Sequence, residues 1–171
     1  LEHYTGTSVE ETARQLLFDP LGINTWQWDK TRDGSHDAAW GLHLRPVDLA
    51  RIGYLFVQRG AWEGEQVFEE GWVRQSTRYR KSISNYFHYG YQWWRFAGNT
   101  DVVRILESKG MTRNDIFFAW GRGDQLLFVL PSFDMVAVIT AGNAPTYRVE
   151  ILALLLDYII PSISPLPFSY P

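Results

Sequence analysis

Two nearly all-apolar runs, 125–130 and 135–141, are separated only by Pro131-Ser132-Phe133-Asp134. A strand with one wet face alternates apolar and polar side chains, because successive Cβ atoms point to opposite faces. These runs do not alternate, so both faces of each strand must be covered. The connection is short enough for a hairpin, which makes the two strands antiparallel neighbours. Two further strand-like runs precede them, the aromatic stretch 89–96 and 116–120. The second half of the chain therefore reads as an antiparallel meander that needs a layer on each side.

The first half and the C-terminus supply candidates for those layers. Ser8-Val9-Glu10-Glu11 has capping-box spacing, and Val9, Thr12, Ala13, Leu16 and Leu17 follow at helical intervals. Pro20 should stop that helix by disfavouring the α conformation at Asp19. Residues 22–38 read as a loop carrying Trp26, Trp28, Asp33-Gly34 and His36. A second helix opens with Pro46 in its first turn and Asp48 near the positive end of its dipole. Leu49, Ile52 and Phe56 line its buried face, and Gly60 sits where a C-terminal cap belongs. Trp62-Glu63-Gly64-Glu65 is a turn, and 69–75 a short helix with Trp72 and Val73 inward. The last helix, 148–160, carries Val149, Leu152, Leu155, Leu156 and Ile159 on one face. The fold class is α+β, helices first, then the meander, then a closing helix. Pro161, Pro165, Pro167 and Pro171 mark 161–171 as an extended Pro-rich tail.

Composition narrows the chemistry. With 171 residues and 46% hydrophobic content, one domain can bury a sizeable core. Sixteen Lys+Arg against nineteen Asp+Glu leave a net charge of −3, which gives no broad attraction for nucleic acid or an anionic membrane. The absence of cysteine removes disulfides, thiolate metal sites and a Cys nucleophile. The longest apolar run, 151–156, is far short of the roughly 20 residues that span a bilayer. Leu1-Glu2-His3 has neither the basic start nor the apolar stretch of a signal peptide. The chain does not begin with Met, so an upstream segment is expected to be missing. Localisation is left unknown, with periplasmic, secreted and cytoplasmic settings all open.

There is no G-x-S-x-G elbow, H-E-x-x-H, Walker loop or EF-hand loop. His3, His36, His43 and His88 have no metal-ligand spacing and no evident carboxylate partner, and read as ordinary surface or core histidines. Gly121-Arg122-Gly123 begins like a dinucleotide fingerprint but lacks the third glycine and is followed by a strand, so it is rejected. No metal and no cofactor is implied.

Whole segments are more informative. Trp40-Gly41-Leu42-His43-Leu44-Arg45-Pro46-Val47-Asp48-Leu49-Ala50-Arg51-Ile52-Gly53 resembles a segment of the penicillin-recognising serine hydrolases. That superfamily includes class C β-lactamases, related esterases, D-amino-acid peptidases and 6-aminohexanoate-dimer hydrolases. Phe18-Asp19-Pro20-Leu21-Gly22-Ile23, Gly60-Ala61-Trp62-Glu63-Gly64, Glu70-Gly71-Trp72-Val73 and Tyr89-Gly90-Tyr91-Gln92-Trp93-Trp94 fit the same pattern. Phe118-Ala119-Trp120-Gly121-Arg122-Gly123-Asp124-Gln125, followed by Val129-Leu130-Pro131, is similar to the family's third active-site strand. The resemblance runs along nearly the whole chain in the family's order. It implies a β-lactamase/transpeptidase-like fold, an antiparallel sheet flanked by helices, with its N-terminal portion missing. Residues 1–160 would then be the C-terminal part of a single domain.

The family's catalysis rests on three motifs. Ser-x-x-Lys holds the nucleophile, with the lysine easing its deprotonation. Tyr-x-Asn or Tyr-x-Ser shares the proton traffic, and Lys-Thr-Gly or a substitute walls the pocket and donates a backbone N–H to the oxyanion. No serine here is followed three positions later by lysine, and no tyrosine two positions later by asparagine or serine. In the family both motifs precede the segment that 11–23 resembles, which places them upstream of Leu1. By position, Trp120-Gly121-Arg122 replaces the lysine-bearing tripeptide and Gly123 supplies the oxyanion donor. Asp124 departs from the family's glycine.

Each of these residues also has a plainer reading. Trp120 is either a pocket wall or a core aromatic on a buried strand. Arg122 either steers a substrate carboxylate or forms a surface salt bridge, and Gly121 and Gly123 either admit substrate or form a bulge. Trp40, Tyr91, Trp93 and Trp94 either rim a cleft or fill the core. Tyr91 and Trp93 share one strand face, Gln92 and Trp94 the other, and only one set should be core, with the other under the 24–36 loop. Asp48 reads as a helix N-terminal charge.

The resemblance implies the C-terminal part of a serine hydrolase that cleaves an ester or amide through an acyl-enzyme, inactive by itself. Its substrate would be a small ester, amide or peptide-like molecule. Its partner would be its own missing half or a second copy, held through unpaired strand edges. The alternative is a non-catalytic binding or assembly module whose aromatics stack on sugar or peptide. A third reading, an independent domain with unrelated chemistry, requires the resemblance to be accidental.

Overall fold

The computed structural model describes residues 6–37, 39–98, 100–142 and 152–163. Ser8 caps the first helix as the spacing predicts. Its Oγ accepts the Glu11 N–H at 3.1 Å, and α1 spans Val9–Ala13. A π-type turn continues it over Arg14–Phe18. Asp19 retains helical dihedrals, φ −59° and ψ −47°, so Pro20 does not end the helix by displacing its neighbour.

Residues 22–38 are not an open loop. β1 (Trp26–Trp28) pairs antiparallel with β2 (Leu42–Leu44) in a two-stranded ribbon. Phe18, Leu21, Ile23 and Leu55 form a small core of their own, with Trp26 and Trp28 packed on it. The alternation Trp-Gln-Trp, half-buried, exposed, half-buried, is the strand signal that the loop reading passes over.

Pro46 opens α2 (Pro46–Val57) as expected. This helix is covered on two sides. Leu55 joins the small core, while Phe56 and Val57 pack toward the main sheet. Gly60 ends the segment at φ +89°, and its N–H bonds the Leu55 carbonyl at 2.8 Å. A Cβ at that position would lie 2.1 Å from the Phe68 carbonyl oxygen, so only glycine fits. β3 (Ala61–Trp62) and β4 (Glu65–Gln66) form a tight hairpin through Glu63 and Gly64, both at positive φ. In α3 (Glu70–Thr77) Val73 is buried, but Trp72 points outward and is 44% exposed. It stacks on Tyr91 at 5.7 Å, which replaces the inward position expected for it.

Among the described residues the main sheet has six strands in the order β10-β9-β8-β7-β6-β5, an antiparallel meander throughout. The strands are β5 (Lys81–Ser82), β6 (Phe87–Tyr89), β7 (Trp94–Phe96), β8 (Phe117–Gly121), β9 (Gln125–Leu130) and β10 (Met135–Ile139). The run 89–96 is therefore two strands joined by a turn, with Gln92 at φ +65°. Between β7 and β8 lies α4 (Asp101–Ser108), an element missing from the expected order although Thr100, Asp101 and the i,i+3 pair Val103 and Leu106 signal a helix; Thr100 Oγ1 caps it by accepting the Val103 N–H. At the C-terminus a π-type turn, Leu154–Ile159, passes into a helical turn, Ile160–Ser162. Helix positions 148–151 and tail positions 164–171 lie outside the described residues.

Both sheet faces are covered, as the unbroken apolar runs require. On one face Phe118, Leu126, Phe128 and Leu130 pack with Val103, Leu106, Leu155 and Ile160. On the other, Phe117, Leu127 and Val129 meet Phe56, Val57 and Val73. Because both layers exist, both sets of the 91–94 aromatics contribute to a core. Trp93 sits between Phe56 and Phe117 at 4.6 and 5.0 Å, whereas Trp94 packs against the opposite cluster. The 24–36 loop does not cover them; its tryptophans belong to the small core beside α2.

Candidate functional site

The candidate site is the turn between β8 and β9. Gly121 pairs with Gln125, leaving Arg122-Gly123-Asp124 as the connection. Gly123 and Asp124 have φ of +76° and +65°, the left-handed region that the reversal demands. Glycine enters it freely; aspartate tolerates it better than most residues.

Asp124 compensates through its side chain. It is 4% exposed, and its Oδ1 accepts the Trp120 indole N–H at 3.0 Å. Trp120 is thereby tied to the turn while its ring packs among Phe87, Trp94 and Phe118 at 5.6–6.3 Å. Gln125 adds a second anchor, with Nε2 donating to the Ala141 carbonyl and, at 3.4 Å, to that of Gly123. Arg122 is exposed at the tip, and among the described residues no ion pair engages it.

Tyr91 lies at the same end of the sheet. Extending the Trp94↔Phe118 register by two residues places the β6–β7 turn level with Trp120. Tyr91 is 44% exposed, stacked on Trp72, with the Arg80 guanidinium 4.6 Å from its ring centroid. In the same turn Tyr89 donates its hydroxyl to Gln92 at 2.8 Å. Burial pushes the Tyr89 pKa upward, so the phenol is a neutral donor and not a base. Trp40 stands apart, before β2 of the separate ribbon, 64% exposed, with its indole N–H donated to Asp37.

Three groups differ from the expectation drawn from sequence. Asp48 is fully buried, bound by Arg45 at 2.6 and 3.1 Å and by Arg51 at 3.0 Å, so it is the centre of an ionic cluster as well as a helix-start charge. The spacing Arg45, Asp48, Arg51 is the available signal, since i,i+3 neighbours share a helix face. His36 and His43 do have carboxylate partners: His36 meets Glu10 at 3.0 Å and His43 meets Asp29 at 3.4 Å. Those contacts join segments distant in sequence, which spacing cannot reveal.

No family model matches this chain, and no curated protein matches it. Among solved structures, a protein described as "Putative 6-aminohexanoate-dimer hydrolase from Bacillus anthracis" is similar over 91% of this chain, with a TM-score of 0.69 and 19% identity. The fold is β-lactamase-like. The chain spans 38% of that protein's length. At this identity the likeness carries architecture alone, and chemistry must be argued from the site.

Proposed function

We propose that this chain is the C-terminal part of a serine hydrolase that cleaves an ester or amide through an acyl-enzyme. The nucleophile, in a Ser-x-x-Lys motif, belongs to polypeptide upstream of Leu1. The serine Oγ attacks the carbonyl carbon, the alcohol or amine leaves with a proton, and water then releases the acid and restores the serine. The Gly123 backbone N–H is the oxyanion donor from this chain. Trp120, Gly121, Arg122 and Tyr91, at one end of the main sheet, contact substrate, with Arg122 attracting a carboxylate on it. The observation that carries the reading is the β8–β9 turn, with its small exposed Gly121, left-handed Gly123 and cationic tip on a strand of a β-lactamase-like sheet. β10 adds support: among the described residues it is an uncharged edge strand whose residues are all half-buried, suited to pairing with an upstream segment or a second copy.

Intact mass after fluorophosphonate treatment of native material tests this reading. An adduct on a longer chain or a co-purifying fragment is expected. The chain alone should show no saturable hydrolysis of a p-nitrophenyl ester. An adduct on the 19.8 kDa chain itself would place the nucleophile within it and overturn the assignment.

A second reading, a non-catalytic binding module, draws on the Trp72–Tyr91 stack. Both rings are 44% exposed, a surface suited to stacking on sugar or peptide. Absence of any fluorophosphonate adduct would favour it.

A further inference from the structure

A cavity of about 640 Å³ opens between α3, β6, β7 and the start of β8, at the sheet end opposite the β8–β9 turn. Arg74, Arg78, Arg95, Arg113 and His88 line it, and among the described residues no carboxylate does. Its floor is apolar, with Phe56, Val73 and Phe117 among the lining residues. A volume of this order suits a small organic ligand.

The positive charge is only partly explained by the fold. Arg74 is engaged by Glu70 at 2.6 Å. Arg95 serves the structure directly, because its Nε donates at 2.5 Å to the Thr77 carbonyl, an orphan acceptor at the end of α3, and Nη1 donates to Asn114 at 3.3 Å. Yet among the described residues no ion pair engages Arg78, Arg95 or Arg113. Burial and the charge of Arg113 both push the Arg95 pKa down, with Asp115 opposing. Asp115 is itself occupied, accepting from Thr112 and Ser132. Burial and Arg113 likewise lower His88. Like charges gathered on an apolar floor repel one another, and an anion seated among them would relieve that repulsion.

We propose that this cavity binds a small organic dianion, a phosphomonoester or dicarboxylate on an apolar body, with the anionic group between Arg95, Arg113 and Arg78. The body lies against Phe117 and Phe56. The site is independent of the acyl-transfer reading, since it shares no residue with the β8–β9 turn.

Calorimetric titration with phenyl phosphate, phthalate, inorganic phosphate and benzyl alcohol tests it. Phenyl phosphate or phthalate should bind saturably at one site per chain, more tightly than inorganic phosphate and far more tightly than benzyl alcohol. Which dianion binds better separates the two headgroup chemistries. Arg113→Ala should weaken binding about tenfold, the scale of one charge-assisted hydrogen bond, and Arg78→Ala should weaken it also. Both residues are exposed, so these variants keep the fold; Arg95 is avoided because it caps α3. Raising salt to about 0.5 M should weaken binding. Undetectable binding of both dianions, equal binding of benzyl alcohol, or unchanged affinity in both variants would overturn the proposal. So would binding of an acidic peptide in place of both dianions, which would make the cavity a protein-docking site.

Discussion

Asp124 offers a direct test of how the β8–β9 turn is held. It combines a backbone in the left-handed region, φ +65°, with a buried carboxylate that accepts the Trp120 indole N–H at 3.0 Å. The substitutions Asp124→Asn, Asp124→Gly and Asp124→Ala separate these contributions. Asparagine tolerates the same backbone and retains an acceptor, losing only the charge, so a loss of about 0.5–1 kcal/mol is expected. Glycine removes a hydrogen bond to a charged group, worth about 1.5–3 kcal/mol, and leaves the indole unsatisfied by that partner. It recovers part of this by relaxing the backbone, but adds unfolded-state freedom of about 0.4–1 kcal/mol, for a net loss of roughly 1–2 kcal/mol. Alanine loses the same bond and keeps a left-handed conformation that costs a Cβ-bearing residue about 1–2 kcal/mol, giving roughly 2.5–5 kcal/mol in all. Urea unfolding midpoints should therefore fall in the order wild type, Asn, Gly, Ala, and Trp120 should make the fluorescence sensitive to the change. A Gly variant more stable than wild type would show that relief of the backbone outweighs the carboxylate–indole bond, and would refute the order. An Ala variant equal to Gly would remove the backbone half of the argument.

Gly60→Ala should lose about 3 kcal/mol or fail to fold, because the new Cβ would stand 2.1 Å from the Phe68 carbonyl oxygen at φ +89°; a thermal melt within a few degrees of wild type would contradict that clash. The Asp33 carboxyl, bonded by the Ser35 and Thr31 hydroxyls and the Ser35 N–H, is held at about 2, below its ordinary 3.8, so its stabilising contribution is present above 3.8 and fades as pH falls through about 2. An NMR titration should find that value, and Ser35→Ala should raise it; an unshifted Asp33 refutes the assignment. His88 is lowered from 6.5 by burial and by Arg113, so the folded state favours the neutral ring and loses that stabilisation as pH drops below 6.5. Phenyl phosphate should raise its NMR-measured pKa, and an unaltered titration on saturation would place the ligand elsewhere. Through its β10 edge the chain should associate as concentration rises in sedimentation velocity; a compact monomer at every concentration counts against the truncation reading.

The meander is legible because its signal is local: unbroken apolar runs at 125–130 and 135–139, a short Pro131-led connection, and no charge within them. Capping is equally direct at Ser8, and Gly60 announces the end of α2. The failures arise where local composition is ambiguous. Aromatic residues from 89 to 96 read as one strand because nothing in Tyr91-Gln92 advertises a reversal, and Gln92 adopts positive φ only under the pairing of β6 with β7. Hydrophobicity alone places Trp72 inward, yet the partner that holds it outward, Tyr91, comes from a different element. At the site, the residue types of the turn are readable and the Asp124–Trp120 bond is not, since an i,i+4 contact across a turn depends on backbone dihedrals. The cationic cavity escapes entirely. Its cationic residues are spread from Arg74 to Arg113 and converge only when α3 docks beside β6 and β7.

That convergence bears on how two sites can coexist on one sheet. Phe117 opens β8 at the cavity and Gly121 closes it at the turn, about 13 Å away at 3.3 Å per residue. The strand between them is covered on both faces, by Phe118 packing one way and Phe117 the other, so any second arrangement would have to break that packing. Energetic coupling between distant sites requires an element with two states that both ligands bias. The structure gives β8 a single arrangement, held on both faces. A dianion in the cavity should therefore leave the geometry of Gly121, Arg122 and Gly123 unchanged, acting as an independent anchor for α3 against the sheet and not as a control on the turn. Chemical shifts of Gly121 and Gly123 that stay fixed while those of Arg95 and Arg113 move would confirm that separation; concerted movement would mean that the two ends of the sheet communicate.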